Sequence, residues 1–169
     1  MHVFPVTTGE QLEQAIGLRM AVFVGEQGFD AEGERDRIDD DPRTLHALLV
    51  DDSGSPVGTA RLVAPGSDVS HGMDGGIGDM DPEVPHIGRV VVLGAARGTG
   101  GGRALMELLE DQALERFGVD GRVRVEVSAQ RQAMPFYRRL GYTPFGDSYL
   151  DEHVWHQDAY RIVTAEPRS

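Results

Sequence analysis

The chain has 169 residues, 40% of them hydrophobic, and a formal net charge of −12 from 28 acidic and 16 basic side chains. That length suits one compact domain with a single core, and no stretch reaches the roughly 20 apolar residues of a membrane-spanning helix. There is no cysteine, which excludes disulfides, thiolate metal sites and a thiol nucleophile. So acidic a chain repels nucleic-acid phosphates and attracts protonated amines.

Neither nucleic acid nor a membrane is therefore expected as a partner. The N-terminal Met1-His2-Val3-Phe4-Pro5-Val6 has no basic segment followed by an apolar one, so no export signal is read there and a cytoplasmic location is expected. Val3 to Val6 reads as a short strand. Thr8 and Gln11 match a capping box, and Leu12, Ala15, Ile16 and Phe23 keep helical spacing up to Val24. From Gly25 to Arg43 the periodicity is lost and acidic residues accumulate, among them Glu26, Glu34, Asp36 and Asp39. This segment reads as an acidic loop with at most a short helix. Thr44 to Val50 and Val57 to Val63 read as strands around a turn-rich Asp51 to Pro56. Pro65 to Pro85 is glycine-rich and aperiodic, a long connection of a kind that is usually functional or disordered.

Ile87 to Leu93 is a nearly continuous β-branched run, as in a buried strand. A glycine loop follows, then a helix from about Gly101 to Phe117, ended by Gly118. Arg122 to Val127 alternates as a strand. Pro135 to Leu140 reads as a short helix ended by Gly141, and Tyr142 to Phe145 and Gln157 to Val163 read as strands. No repeat or second-domain linker is visible. A single mixed α/β domain over residues 1–169 is expected.

Strand, glycine loop and helix together make a device for holding phosphate. Glycines let backbone N–H groups approach an anion, and the helix adds its unpaired N–H groups and positive dipole end. Arg97, Gly98, Thr99, Gly100, Gly101, Gly102 and Arg103 form the loop here. A Walker loop requires Lys followed by Ser or Thr after its last glycine, but Arg103-Ala104 stands there. The dinucleotide fingerprint G-x-G-x-x-G fails at Arg103 or Leu105, depending on where it is started.

What remains is R-x-x-G-x-G, filled by Arg97, Gly100 and Gly102 after Val90-Val91-Val92-Leu93. It resembles the acetyl-CoA signature of the GNAT superfamily of N-acetyltransferases, with Gly94 where that family usually has Pro. Gln130, Ala133, Phe136, Tyr137, Gly141 and Tyr142 resemble a second family segment, N-x-x-A-x-x-F-Y-x-x-x-G-F, with Gln for Asn. The pattern Leu18-Arg19, Val22 to Gln27, Asp39 and His46, with Tyr149 to Glu152 and His156, is similar to the ElaA-like branch.

The resemblance implies a GNAT fold, a mostly antiparallel mixed sheet flanked by helices and splayed at the acetyl-CoA site. It implies acetyl-CoA as acyl donor, Val90, Val91 and Val92 along its pantetheine, Arg97 to Arg103 at its pyrophosphate, and Gln130, Phe136 and Tyr137 beside it. It also implies a homodimer through the C-terminal strands. The expected reaction is direct attack by a primary amine of a small molecule or peptide in a ternary complex. Tyr137 is the expected acid for the leaving thiol. Glu26, His46 and His156 all stay open as bases. Glu26, Glu34, Asp36, Asp39 and His156 are candidates for binding a cationic acceptor. His153 and His156 are spaced like a metal pair, but no further ligand is evident and no metal is expected. The alternative is an acyl-CoA-binding sensor without turnover.

Overall fold

The computed structural model describes residues 1–67 and 80–165. Most of the Pro65 to Pro85 connection, residues 68–79, lies outside the described residues. The elements are β1 (His2–Pro5), α1 (Gly9–Arg19), a π-helix (Met20–Glu26), α2 (Ala31–Glu34) and a 3-10 helix (Arg37–Asp40). Strands β2 (Leu45–Val50), β3 (Pro56–Val63) and β4 (His86–Val92) follow, then a 3-10 turn (Gly94–Ala96) and α3 (Gly101–Phe117). The chain continues through β5 (Arg122–Gln130), a 3-10 turn (Arg131–Ala133), α4 (Met134–Arg139), β6 (Thr143–Asp151) and β7 (Val154–Thr164).

The seven strands hydrogen-bond in the order β1-β2-β3-β4-β5-β7-β6. The β1–β2, β2–β3, β5–β7 and β6–β7 pairs are antiparallel, and β4 meets β5 in parallel at His86 and Glu126. The fold is thus the mixed α/β sheet expected. Its contacts divide into two compact units, Met1–Val63 with Ile87–Leu109, and Ala64–His86 with Glu110–Ser169.

In the first unit, the Thr8 hydroxyl accepts from Gln11 N at 3.2 Å and Gln11 Oε1 accepts from Thr8 N at 3.2 Å, the reciprocal cap that starts α1. The helix was expected to run to Val24. Instead it passes after Arg19 into the wider π-helix, a rare form that is frequently found at functional sites. The strands are covered on both faces, which explains why Leu45 to Leu49 are all buried. On one face Leu48 and Val91 pack with Ala15, Leu18 and Val22 of the helical segment. On the other, Leu49 and Leu105 close over Gly58, where an added Cβ would lie 3.1 and 3.3 Å from their methyl carbons.

The second unit is built on β5 and β7, paired without a break from Arg122–Thr164 to Gln130–His156. Val123, Val125, Val127 and Ala129 alternate into its core. Tyr142 donates to Glu110 Oε2 at 2.8 Å, and Arg161 Nη1 reaches Glu110 Oε1 at 2.9 Å. That pairing explains how the carboxylate of Glu110 on α3 can be wholly buried. β6 is longer than expected, because a pairing irregularity between Phe145 and Tyr149 absorbs the turn-like Gly146-Asp147-Ser148.

Candidate active site

The glycine loop lies where strand β4 hands over to α3. Gly98 and Gly100 have φ of 79° and 86°, values an L side chain rarely adopts, and an added Cβ at either would meet nothing within 4 Å. Gly101 is required for a different reason: a Cβ there would stand 2.4 Å from Leu49 Cδ2. The loop is therefore open on one side and packed tightly on the other. The first-turn N–H groups of a helix have no intrahelical acceptor, and in α3 that turn is Gly101, Gly102 and Arg103. Arg97 Nε donates to Val92 O at 2.8 Å, and its Nη2 reaches Glu26 Oε1 at 3.0 Å. Arg103 pairs with Glu107 at 2.9 Å. The arrangement can receive a phosphate or pyrophosphate.

Strand β4 carries a distortion just before the three valines. Arg89 has φ of 52°, strain of the kind that persists only where surroundings enforce it. Its guanidinium faces Glu34 Oε1 at 3.2 Å and Asp36 Oδ2 at 3.5 Å.

That ion pair belongs to a larger cluster, and here the acidic segment departs from its reading as a loop. Arg19 binds Glu34 Oε1 at 2.9 Å and Asp39 Oδ1 at 2.6 Å. Arg61 binds Asp36 Oδ1 at 2.7 Å and Asp39 Oδ1 at 2.9 Å. Three arginines thus face three carboxylates, and Glu34 and Asp39 are buried. Burial works to raise the Asp36 and Asp39 carboxyls, but Arg61 and Arg19 outweigh it and hold both below the usual carboxylate range. These side chains fold their segment; they are not a bare anionic surface.

The base candidates lie on different elements. His46 is buried against Asp39, with Nε2 at 3.3 Å from the Asp39 carbonyl oxygen, and burial pushes its pKa down. Glu26 is half-exposed at the end of the π-helix, paired with Arg97. In the second unit, His156 Nδ1 donates to Val154 O at 2.9 Å and its ring stacks on Tyr149. Tyr137 on α4 is buried, its ring edge-on to Phe136 and Tyr142. Burial pushes its phenol well above the ordinary value, so it stays protonated at neutral pH. Gln130 ends β5, half-buried opposite His156. Among the described residues, no three His, Asp or Glu side chains converge as metal ligands. No described helix is long and apolar enough to cross a membrane.

Sequence reasoning passed over Arg19, Arg61 and Arg89 as partners of the acidic segment, and Ser128, Tyr149 and Asp158 as a polar group. The second group had a signal. Strand β5 alternates valines with Arg124, Glu126, Ser128 and Gln130, an unusually polar face for an interior strand.

A family model described as the acetyltransferase (GNAT) family matches residues 13–142. An uncharacterised N-acetyltransferase of Bacillus subtilis, YjcF, is 32% identical over 148 residues, covering 87% of this chain and 89% of its own. An acyl-CoA N-acyltransferase of Pseudomonas aeruginosa superposes with a TM-score of 0.73 at 29% identity, covering 95% of this chain and 99% of that one. Escherichia coli ElaA gives a TM-score of 0.73 at 25% identity, covering 94% and 97%.

Proposed function

The chain belongs to the acetyltransferase (GNAT) family, and from that premise we propose that it transfers acetyl from acetyl-CoA to a primary amine of a small molecule or peptide. The observation that carries this reading is the loop from Arg97 to Arg103. Its left-handed glycines, its open side and the bare first turn of α3 fit a pyrophosphate, and Arg97 and Arg103 add positive charge. The backbone of Val90 to Val92 is assigned to the pantetheine arm, and Gln130 and Phe136 to contacts beside it. The donor supplies an activated thioester; the protein must orient an amine, take a proton from it and give one to the departing thiol.

Tyr137 suits the last task, because its buried phenol holds its proton at neutral pH and can donate it. With no cysteine in the chain, direct attack by the amine is the simpler course. For the acceptor, His156 and Glu26, whose pair with Arg97 is solvent-exposed, are the remaining contacts among the acidic and histidine candidates. Glu34, Asp36 and Asp39 have their charge met by Arg19, Arg61 and Arg89, and His46 is enclosed with them, which supports a positioning role for all four.

Calorimetric titration with acetyl-CoA, with ATP and NAD as controls, tests the reading. Saturable binding of acetyl-CoA alone is expected, with a dissociation constant at least tenfold weaker in Gly100→Val, since a β-branched residue at φ 86° distorts the loop. Gly9→Ala, on open space at the start of α1, is the control and leaves binding unchanged. Tighter binding of a nucleotide would overturn the proposal. Binding without thiol release on any amine would instead support an acyl-CoA sensor.

A further inference from the structure

The polar face of the second unit's sheet, the one that carries Glu126, Ser128 and Asp158, contains a chain of hydrogen bonds that none of the roles above uses. Ser128 on β5 stands opposite Asp158 on β7, and Tyr149 on β6 stands opposite His156. Opposed residues share a sheet face, so these four side chains lie together. Tyr149 donates its phenolic proton to Asp158 Oδ1 at 2.7 Å. Ser128 Oγ is in hydrogen-bond contact with the same phenolic oxygen. The imidazole of His156 stacks on the Tyr149 ring, with planes 23° apart.

The direction of this chain is fixed by its inner end. A carboxylate only accepts, so the Tyr149 proton points to Asp158 and the Tyr149 oxygen is left to accept from Ser128. The Ser128 hydroxyl then points inward, and its lone pairs are free to accept from outside. Burial follows the same order: Ser128 and Tyr149 are half-buried and Asp158 is 0% exposed. Gln130, assigned above to the donor, lies on the same face two positions along β5, about 7 Å away at the rise of a strand.

We propose that Ser128, Tyr149 and Asp158 form a proton relay that deprotonates the acceptor ammonium. The inference rests on the acyltransferase reading above and supplies its missing base. The ammonium N–H proton passes to Ser128 Oγ, the Ser128 proton to Tyr149, and the Tyr149 proton to Asp158. The free amine then forms the C–N bond as the C–S bond breaks. Tyr137 gives its proton to the departing sulfur, which leaves as a thiol, and the proton that the nitrogen sheds on forming the amide restores the Tyr137 phenol. After product release Asp158 returns its proton outward along the same chain, through Tyr149 and Ser128. Burial pushes the Tyr149 phenol above its ordinary pKa, so the tyrosine transmits a proton and does not store a phenolate.

Ser128 is a catalytic residue on this account, and Tyr149 and Asp158 act through it. The test compares wild type, Tyr149→Phe and Ser128→Ala by thiol release from acetyl-CoA with a panel of primary amines, butylamine, phenethylamine, spermidine and glycinamide, from pH 7 to pH 9.5. Ser128→Ala orphans no buried charge, so it keeps the test valid if the tyrosine variant misfolds. A loss of roughly hundredfold or more in kcat at pH 7 is expected, with KM for acetyl-CoA within about twofold. That loss must shrink towards pH 9.5, where more of a lysine-like amine of pKa about 10.4 is already neutral. A packing role alone would give a loss that pH does not relieve. A pH-independent loss, no loss, or a parallel rise in the KM for acetyl-CoA refutes the relay. So does a wild type that binds acetyl-CoA but acetylates no amine in the panel. A wild type that does not bind acetyl-CoA refutes the acyltransferase reading itself.

Discussion

Replacing Arg19 with Met removes one cation from a cluster that is balanced at three against three. Arg19 is 1% exposed. Its guanidinium donates to Glu34 Oε1, Asp39 Oδ1, Asp39 Oδ2 and the Glu34 carbonyl at 2.9, 2.6, 3.0 and 2.5 Å. Methionine fills much of the volume but leaves a buried carboxylate uncompensated. Removing one partner of a buried pair costs about 3–5 kcal/mol, a large fraction of the roughly 5–15 kcal/mol that holds a domain together. At roughly 2–4 °C per kcal/mol for a chain of this size, the midpoint should fall by roughly 6–20 °C. Urea denaturation followed by far-UV circular dichroism measures the loss directly. It also has a pH signature. The Asp39 carboxyl is held below its ordinary range in the fold, so its pairing stabilises the protein above the unfolded pKa of about 3.9 and is lost as pH falls through the folded value. The gap between wild type and Arg19→Met should hold above about pH 5 and close on further acidification. A loss below about 1 kcal/mol, typical of surface pairs, would mean that water screens the cluster, and the argument from burial would fail.

Two further outcomes follow from buried groups. Tyr142→Phe deletes the hydroxyl that donates to Glu110 at 2.8 Å and should cost about 1.5–3 kcal/mol, the worth of a hydrogen bond to a charged group; a neutral result would show that the carboxylate is satisfied without that hydroxyl. His46 and His86 are both lowered from the ordinary histidine value by burial. Unfolding therefore takes up protons below about pH 6.5, and stability should decline from pH 7.5 to pH 5.5. His46→Gln with His86→Gln should flatten that slope, and a urea midpoint that does not move between the two pH values in wild type would contradict it.

The parts of the fold readable in the sequence are those where local pattern and tertiary environment agree. Val90 to Leu93, the glycines and the apolar stripe of α3 each announce one structure, and that structure forms. The π-helix was hidden because Ala15, Ile16 and Phe23 suit an α-helical face as well, and nothing local marks a widening after Arg19. The acidic segment misled for a different reason. Its partners Arg19, Arg61 and Arg89 lie on three other elements, so a run that looked solvated is neutralised only once β3 and β4 are in place. Gly146-Asp147-Ser148 has turn chemistry, yet the pairing of Phe145 and Tyr149 with β7 carries the strand past it. The polar chain on β5, β6 and β7 needed strand register, which a sequence alone does not supply.

Arg89 carries two demands that pull toward different amino acids. Its φ of 52° favours glycine, asparagine or aspartate, while Glu34 and Asp36 call for a forked cation. Glycine would relax the backbone and strand the carboxylates; lysine would keep the charge and lose the fork. Sequence drift at this position is therefore narrow, and it is tied to the segment from Ala31 to Asp40. A homologue that trades away Glu34 and Asp36 has no reason to keep a strained arginine in the strand, so loop and strand should change as a block. Variation that remodels the segment from Ala31 to Asp40 would then leave a trace at residue 89 of β4.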